Sequence, residues 1–426
     1  MSTRSLSDDR APGPVADLDR ASTTPLRPEA VAAMEPFLSD RYGNPSAAHA
    51  LGRDAIRAVD EARELMAELL GCAPGEVVFT SGGTESDAHA VTGGIPVRSG
   101  RVLCSAVEHP AVLGAVRALG GDTIAVDAVG RVDLDALAVL LRDRHADRPT
   151  DLVGDRTGLV GDRTDLVSVM VANNELGTIN DLRAVAEVVA AAAPGATLHT
   201  DAVQAAPWLD LAEVAAPADL VSISAHKFGG PKGVGVLVVR SGVPLRPLLH
   251  GGGQEWDRRS GTTNVAGVVG MAAALAAAAG SRAATNRRVG ALRDRLADGL
   301  CRIDGVEWTV ASAAPDGVLP GSLHLLIDDV DSEPLLFLLD REGVRASASS
   351  ACASGAAAPS HVLEAVRPAA ARRDDRLRGA LRLSLGSDTS EAQVDHALDV
   401  IPAVVEHLRR RSRVVAATSA GPVGER

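Results

Sequence analysis

Seven short apolar segments are spaced along the first 240 residues, with helix-like stretches between many of them, and this alternation constrains the fold more than any other feature. The segments are EVVFT (76–80), RVLCSAV (101–107), DTIAVDAV (122–129), LVSVMVA (166–172), ATLHTDAV (196–203), DLVSISAH (219–226) and VGVLVVR (234–240). Between them lie amphipathic stretches such as DLRAVAEVVAAAAP (181–194), and an earlier one, residues 54–70, is closed by Gly71. Strands alternating with helices predict an α/β fold, a mostly parallel sheet covered on both faces. In such sheets a ligand sits outside the carboxyl ends of the strands, so chemistry is sought there. Aromatic residues are only 2% of the chain, so Ala, Val and Leu must fill the core.

Three other regions differ in texture. Residues 1–15 are polar and read as a flexible leader. Residues 16–263 read as a large domain, and the Ala-rich helical stretch after 264 opens a smaller α+β domain running to 410, with 411–426 expected to be a disordered tail. DLVGDRT (151–157) is repeated as GLVGDRT (158–164). Two copies are too few for a repeat architecture, so this is expected to be a duplicated surface loop.

The formal net charge of -12 argues against nucleic acid as a partner, because phosphate binding needs a basic face. No uninterrupted apolar run reaches membrane-spanning length, and the N-terminus lacks the apolar core of a signal peptide. A cytoplasmic protein is expected. Cys72, Cys104, Cys301 and Cys352 are widely separated and form no CxxC pair, so neither a disulfide framework nor a metal site is expected.

Four motifs fall at the ends of predicted strands. FTSGGTES (79–86) is a small-residue turn before a helix start, where backbone N–H groups and the helix dipole suit a phosphate. HTDAVQA (199–205) places Asp201 where a carboxylate suits a protonated pyridine nitrogen, with Gln204 three residues on. VEHPAV (107–112) places His109 where a flat ring can stack and relay protons. SAHKFGGPKG (224–233) puts Lys227 after a strand and before a glycine turn. Each alone has a bland reading, a surface lysine or a structural histidine; four at four strand ends in one chain do not.

With these motifs in order, the chain resembles the cysteine desulfurases of the class-V aminotransferase fold from about residue 17 to 410. The resemblance is carried by LDRASTTPLRPEA, GNPSAAHALGR, FTSGGTESDAHA, VEHPAV, VANNELGTINDL, HTDAVQA, SAHKFGGPKGVG, LHGGGQEWDRRSGTTN, SASSACASG and LRLSLG. It implies a pyridoxal 5'-phosphate-dependent transferase fold of the aspartate aminotransferase type, with a seven-stranded large domain. It implies that Lys227 holds the cofactor covalently and then moves the substrate's Cα proton. Asp201 pairs with the ring nitrogen, Gln204 with the ring hydroxyl, and His109 stacks on the ring. Gly83, Thr84, Ser224 and His226 hold the phosphate, and Thr262 reaches the phosphate of a neighbouring subunit's cofactor, which implies a homodimer. Asn174 lies near the ring and the substrate, and Arg382 clamps the substrate carboxylate.

Cys352 lies in ASASSACASGAAAP, a run with almost no bulky side chains that cannot anchor itself by burial and is expected to be a mobile loop. The resemblance makes it the nucleophile of the family's long-loop branch. The implied reaction converts L-cysteine to L-alanine and leaves the sulfur on Cys352 for an acceptor, either a protein or an enzyme that thiolates tRNA or a cofactor. His109 is the candidate base for the thiol. Two alternatives share part of the pattern. A pyridoxal lyase acting on selenocysteine or cysteine sulfinate, or an aminotransferase, would need Lys227 and Asp201 but not Cys352. An inactive sulfur-relay scaffold would be expected to have lost one of the site residues. Ala225 and Arg20 stand where the family commonly has Gly and a smaller or aromatic residue.

Overall fold

Each of the seven apolar segments forms a strand of one sheet. The computed structural model describes residues 15–95, 101–142, 164–314, 316–348, 360–368 and 379–419. The strands are β1 (Ala16–Asp17), β2 (Val77–Thr80), β3 (Arg101–Ser105), β4 (Asp122–Ile124), β5 (Thr164–Ser168) and β6 (Thr197–Asp201). They continue as β7 (Leu220–Ser224), β8 (Gly235–Val239), β9 (Val306–Trp308), β10 (Ser322–Ile327), β11 (Val344–Arg345) and β12 (Ala380–Ser384). The chain divides into two units: Thr23–Asn174 with Thr178–Arg282, and the described residues up to Ser22 with Glu175–Gly177 and those from Ala283 onward.

The larger unit holds the seven-stranded sheet, ordered β2-β8-β7-β6-β5-β3-β4. β8 runs antiparallel to both neighbours and the other pairings are parallel. Two reversals bring β2 back to the common direction, so β2, β3, β5, β6 and β7 all end at one edge. Strands β3, β5, β7 and β8 are buried along their whole length, which explains why they read as continuous apolar runs. Val78, Leu166, Leu220 and Leu237 are among the fully buried members of this core. The helix Ala50–Leu70 ends where expected, with Gly71 left-handed at φ 61°.

The smaller unit contains the antiparallel sheet β12-β10-β9 and the two-stranded parallel pair β1-β11. Two sequence expectations differ from this structure. The division falls after Arg282, inside the helix Val265–Leu300, rather than at residue 264, because Val268, Met271 and Leu275 are buried with the larger unit's residues. Residues 16–22 go with the smaller unit because β1 pairs with β11 and Asp19 bridges Ser384. The expected disordered tail is also corrected, since the helix Glu391–Ser419 runs through residues 411–419. The stretch is rich in Arg, Val and Ala, with no Gly or Pro before Gly421, so nothing in it stops the helix. Contrary to expectation, Val265–Leu300 is long and apolar enough by composition to cross a membrane; 56% of its most apolar window is buried within the fold. The leader up to residue 14 and the duplicated segment up to residue 163 lie outside the described residues.

Candidate active site

The turn after β2 is shaped by glycine. Gly82 has φ 147°, a conformation that side chains disfavour, and it opens the eleven-residue helix Gly83–Gly93. A Cβ on Gly83 would fall 3.0 Å from Val203 Cγ2 and 3.4 Å from Ser224 Cβ. A Cβ on Gly235 would fall 2.8 Å from Gly82 Cα. The ends of β2, β6 and β7 therefore converge on this turn, with Ser224 buried beside it and Thr84 exposed.

The lysine turn is fixed from both sides. After Ser224 the chain makes one tight turn, Ala225–Lys227, closed by the Phe228 N–H donating to Ala225 O at 3.1 Å. Phe228 is buried and anchors the residue that precedes it. The backbone N–H and the hydroxyl of Thr24 both donate to His226 O, at 3.0 and 2.8 Å. Arg27 Nε donates to Phe228 O at 2.9 Å. Gly229, at φ 87°, lies so close to Arg27 that a Cβ would meet its Cγ at 2.4 Å. Ala225 is not among the residues with positive φ, so its place in a position commonly held by Gly carries no backbone strain. Burial, with the charges of Lys227 and Lys232, pushes the His226 imidazole down to about 4, so it is neutral at pH 7.

Asp201 ends β6 with its carboxyl buried, and Oδ1 accepts from the Val203 N–H at 2.8 Å. Burial pushes this carboxyl up, while His109, the Val203 N–H and Lys227 act against the rise. Two more buried carboxyls lie near enough to be repelled by it. Asp87 and Glu108 are both pushed well above the usual range, first by burial and then by Asp201. His199 lies 3.7 Å from Asp87 and bonds to Ser168 Oγ at 2.8 Å and Ser222 Oγ at 3.0 Å. Burial pushes it down to about 3, so it too is neutral.

This arrangement has a measurable consequence. A carboxyl whose folded pKa is raised binds more protons in the folded than in the unfolded chain. Stability is then lost as pH rises above the ordinary carboxylate range toward the raised value. Asp87→Asn in the cofactor-free protein is expected to flatten this decline by up to about 1.4 kcal/mol per pH unit. Denaturant unfolding at several pH values between 5 and 7 reads the slope, and an unchanged slope would show that Asp87 is ionised when folded.

His109 caps the helix Pro110–Ala118, its Nδ1 accepting from the Ala111 N–H at 3.2 Å. A neutral His109 with Nδ1 so engaged carries its proton on Nε2 and presents a donor there. The segment before it is anchored by Glu108 Oε1, which accepts from the Met170 N–H at 2.6 Å, and by Asn173 Nδ2, which donates to Val107 O at 2.9 Å. Asn173 thus ties the loop carrying Asn174 to the loop carrying His109. Gln204 is buried just beyond Asp201, Asn174 is half-buried, and Thr262 is exposed in the loop after Gly261.

Arg382 belongs to the smaller unit, buried on β12, where Nη2 donates to Asp19 Oδ1 at 2.9 Å and to Ser22 Oγ at 2.8 Å. Cys352 and most of its loop lie outside the described residues. The three described cysteines are poor nucleophiles. Burial pushes Cys72 up to about 11 and raises Cys104 and Cys301 as well, so all three remain thiols at neutral pH.

Sequence reasoning missed Asp87, Glu108, Arg63, Glu85, Glu255 and Arg259. Glu108, a charge flanked by Val107 and His109 at a strand end, carried a local signal. The others gain their meaning only from distant partners.

Within the larger unit the residues present fit pyridoxal phosphate. A glycine cradle at a helix N-terminus suits the phosphate, and a buried carboxylate with a lysine at neighbouring strand ends suits the ring nitrogen and the aldehyde. The fold and this site define a pyridoxal phosphate-dependent enzyme of the class-V aminotransferase type, and the profile of that family matches residues 17–397. The chain belongs to this family and, within it, to the cysteine desulfurases, as its sequence motifs implied. It is 42% identical to an IscS-like cysteine desulfurase of Mycobacterium tuberculosis, over 95% of this chain and 100% of that one. It is 40% identical to a cysteine desulfurase of Gluconacetobacter diazotrophicus, over 93% and 94%. Among solved structures, a NifS-like protein with 32% identity superposes with a TM-score of 0.79, covering 92% of this chain and all of that one.

Proposed function

We propose that this protein converts L-cysteine to L-alanine and passes the sulfur through Cys352 to an acceptor. The observation that carries this reading is the buried Asp201 at the end of β6 with Lys227 just after the neighbouring β7, Lys227 and His109 both favouring the charged form of that carboxyl. The sequence relatives named cysteine desulfurase, at about 40% identity, support the choice of substrate, and a neighbour solved as SspA in complex with cysteine agrees with it.

Pyridoxal phosphate, when bound, supplies an electron sink for the charge left at the substrate's Cα. Lys227 would attach the cofactor and move the Cα proton, the turn that carries it being set by the buried Phe228 and by Thr24 and Arg27. Asp201 would keep a proton on the ring nitrogen and Gln204 would meet the ring hydroxyl, with Asn174 near that hydroxyl and the substrate. Gly83, Thr84, Ser224 and His226 would hold the phosphate. Arg382 binds the substrate carboxylate, its guanidinium pre-set by Asp19 and Ser22. The Cys352 thiol gives up its proton and attacks the substrate sulfur, the Cβ–S bond breaks with its electron pair going to Cβ, and the proton released by the thiol completes alanine. Cys352 is left as a persulfide, so atoms and electrons balance without an external oxidant.

The test is to incubate the purified protein with L-cysteine and measure alanine and protein-bound persulfide in equal amounts. Alanine without persulfide would point instead to a lyase. Thr262 is exposed and, in this reading, completes the cofactor phosphate site of a second copy. The protein is therefore expected to sediment as a homodimer, and Thr262→Ala to weaken cofactor retention by about tenfold, the loss of one charge-assisted hydrogen bond. A monomer that holds its cofactor fully would remove this role.

A further inference from the structure

The loop after β8 carries a run of backbone strain. Glu255, Trp256 and Asp257 are all left-handed, at φ 49°, 55° and 62°, although none is glycine. Each costs about 1–2 kcal/mol, so the surroundings must hold them there. The hold is visible. Glu255 pairs bidentately with Arg63, both contacts at 2.8 Å and both side chains buried. Arg63 lies between the rings of Phe79 and Trp256, 4.5 and 4.6 Å from their centroids. Arg63 Nη1 also donates to Val77 O at 2.6 Å, and Glu255 Oε2 accepts from the Phe79 N–H at 3.0 Å. β2 is an edge strand, and the ion pair serves its free backbone groups as a neighbouring strand would.

From this locked base the loop delivers Arg259 to the far side of the same turn. Arg259 Nε donates to Glu85 Oε1 at 2.9 Å and Nη2 to Oε2 at 3.3 Å. Glu85, in the first turn of the helix Gly83–Gly93, also accepts from the Ser81 N–H at 2.8 Å. A carboxylate there is favourable to the helix dipole by itself, which is sufficient reason for a glutamate but not for the arginine. The same helix end is the phosphate cradle, and two anions on one terminus repel. Burial pushes Glu85 up, and Arg259 and the Ser81 amide outweigh it, so Glu85 is a carboxylate that needs neutralising.

We propose that Arg259 is a positioning residue for the phosphate end of the cofactor, acting through Glu85: it cancels the charge of that carboxylate and holds it on Ser81, away from the phosphate. The Arg63–Glu255 pair fixes the arm that brings it there. This rests on the pyridoxal phosphate reading above.

The experiment is equilibrium dialysis of the full-length protein against graded pyridoxal phosphate and, in parallel, against pyridoxal, which lacks the phosphate. Arg259→Met keeps much of the side-chain stem and removes the charge. It is expected to weaken pyridoxal phosphate about tenfold while changing pyridoxal by less than about threefold, and the deficit should shrink as salt is raised. Glu85→Gln added to Arg259→Met should restore most of the lost affinity, because the repulsion has been removed. A double variant that binds no better than Arg259→Met, or an equal loss for pyridoxal, overturns the inference, since Arg259 would then touch the phosphate itself or serve only the fold. Where Arg259→Met does not fold, Arg259→Lys and Arg259→Gln give the same comparison, with Lys expected to retain more affinity than Gln. A wild-type chain that takes up neither compound overturns the cofactor reading itself, which distinguishes the two failures.

Discussion

Lys227→Ala protein is expected to form alanine from L-cysteine about 10⁴-fold more slowly than wild type, the upper range for loss of a positioned acid–base group that is also the covalent anchor. Lys227 is half-buried at the end of β7, and its turn is pinned by Phe228, by Thr24 on His226 O and by Arg27 on Phe228 O. That packing makes the lysine a fixed point rather than a swinging surface charge. Its removal leaves those anchors in place, so the fold should survive and cofactor should still bind through the phosphate cradle, more weakly. Borohydride reduction of the wild-type protein followed by peptide mapping should label Lys227. A label on Lys232, five residues on, would show that the site is assigned to the wrong lysine.

Cys352→Ser is the second large effect, and it separates desulfurase chemistry from that of other pyridoxal phosphate enzymes. The substitution leaves Lys227, Asp201 and the glycine cradle untouched, so the cofactor spectrum and its response to cysteine should be those of wild type. Persulfide should be absent, and alanine release should fall by at least about 10²-fold, because a hydroxyl is a far weaker nucleophile toward sulfur than a thiolate. The described cysteines are not substitutes, since burial raises the thiol pKa of Cys72, Cys104 and Cys301. Alanine release at the wild-type rate in Cys352→Ser would leave the fold and the cofactor site standing and remove the desulfurase reading.

Much of this was legible without coordinates. The seven strands were readable because buried parallel strands leave continuous apolar runs bounded by small-residue turns, and each of the seven segments became a strand of the sheet. The strand-end motifs were readable because each is contiguous: SGGT, DAVQ and AHKFGG carry their turn chemistry and their functional residue within a few positions. The division between the units was misread at residue 264 because a continuous helix, Val265–Leu300, gives no local mark of where its packing partners change. The tail was misread because nothing local marks where the last helix ends, its Arg and Ala residues keeping helical propensity through Ser419.

By itself the sequence determined the strands, the turns that end them and the set of residue types at those ends, since these depend on periodicities and spacings of a few residues. Only the tertiary structure decided which charged groups share a site. The sequence singled out Asp201 at its strand end, but not that Asp87 and Glu108 share its buried surroundings. Burial raises all three carboxyls, Asp201 pushes the other two further up, and Lys227 and His109 favour the charged form of Asp201. The same holds for the pairs Arg63–Glu255 and Arg259–Glu85, whose members lie 192 and 174 residues apart. No local pattern encodes such pairs. Their strength comes from sharing a site of low dielectric, and that site exists only once the chain has folded.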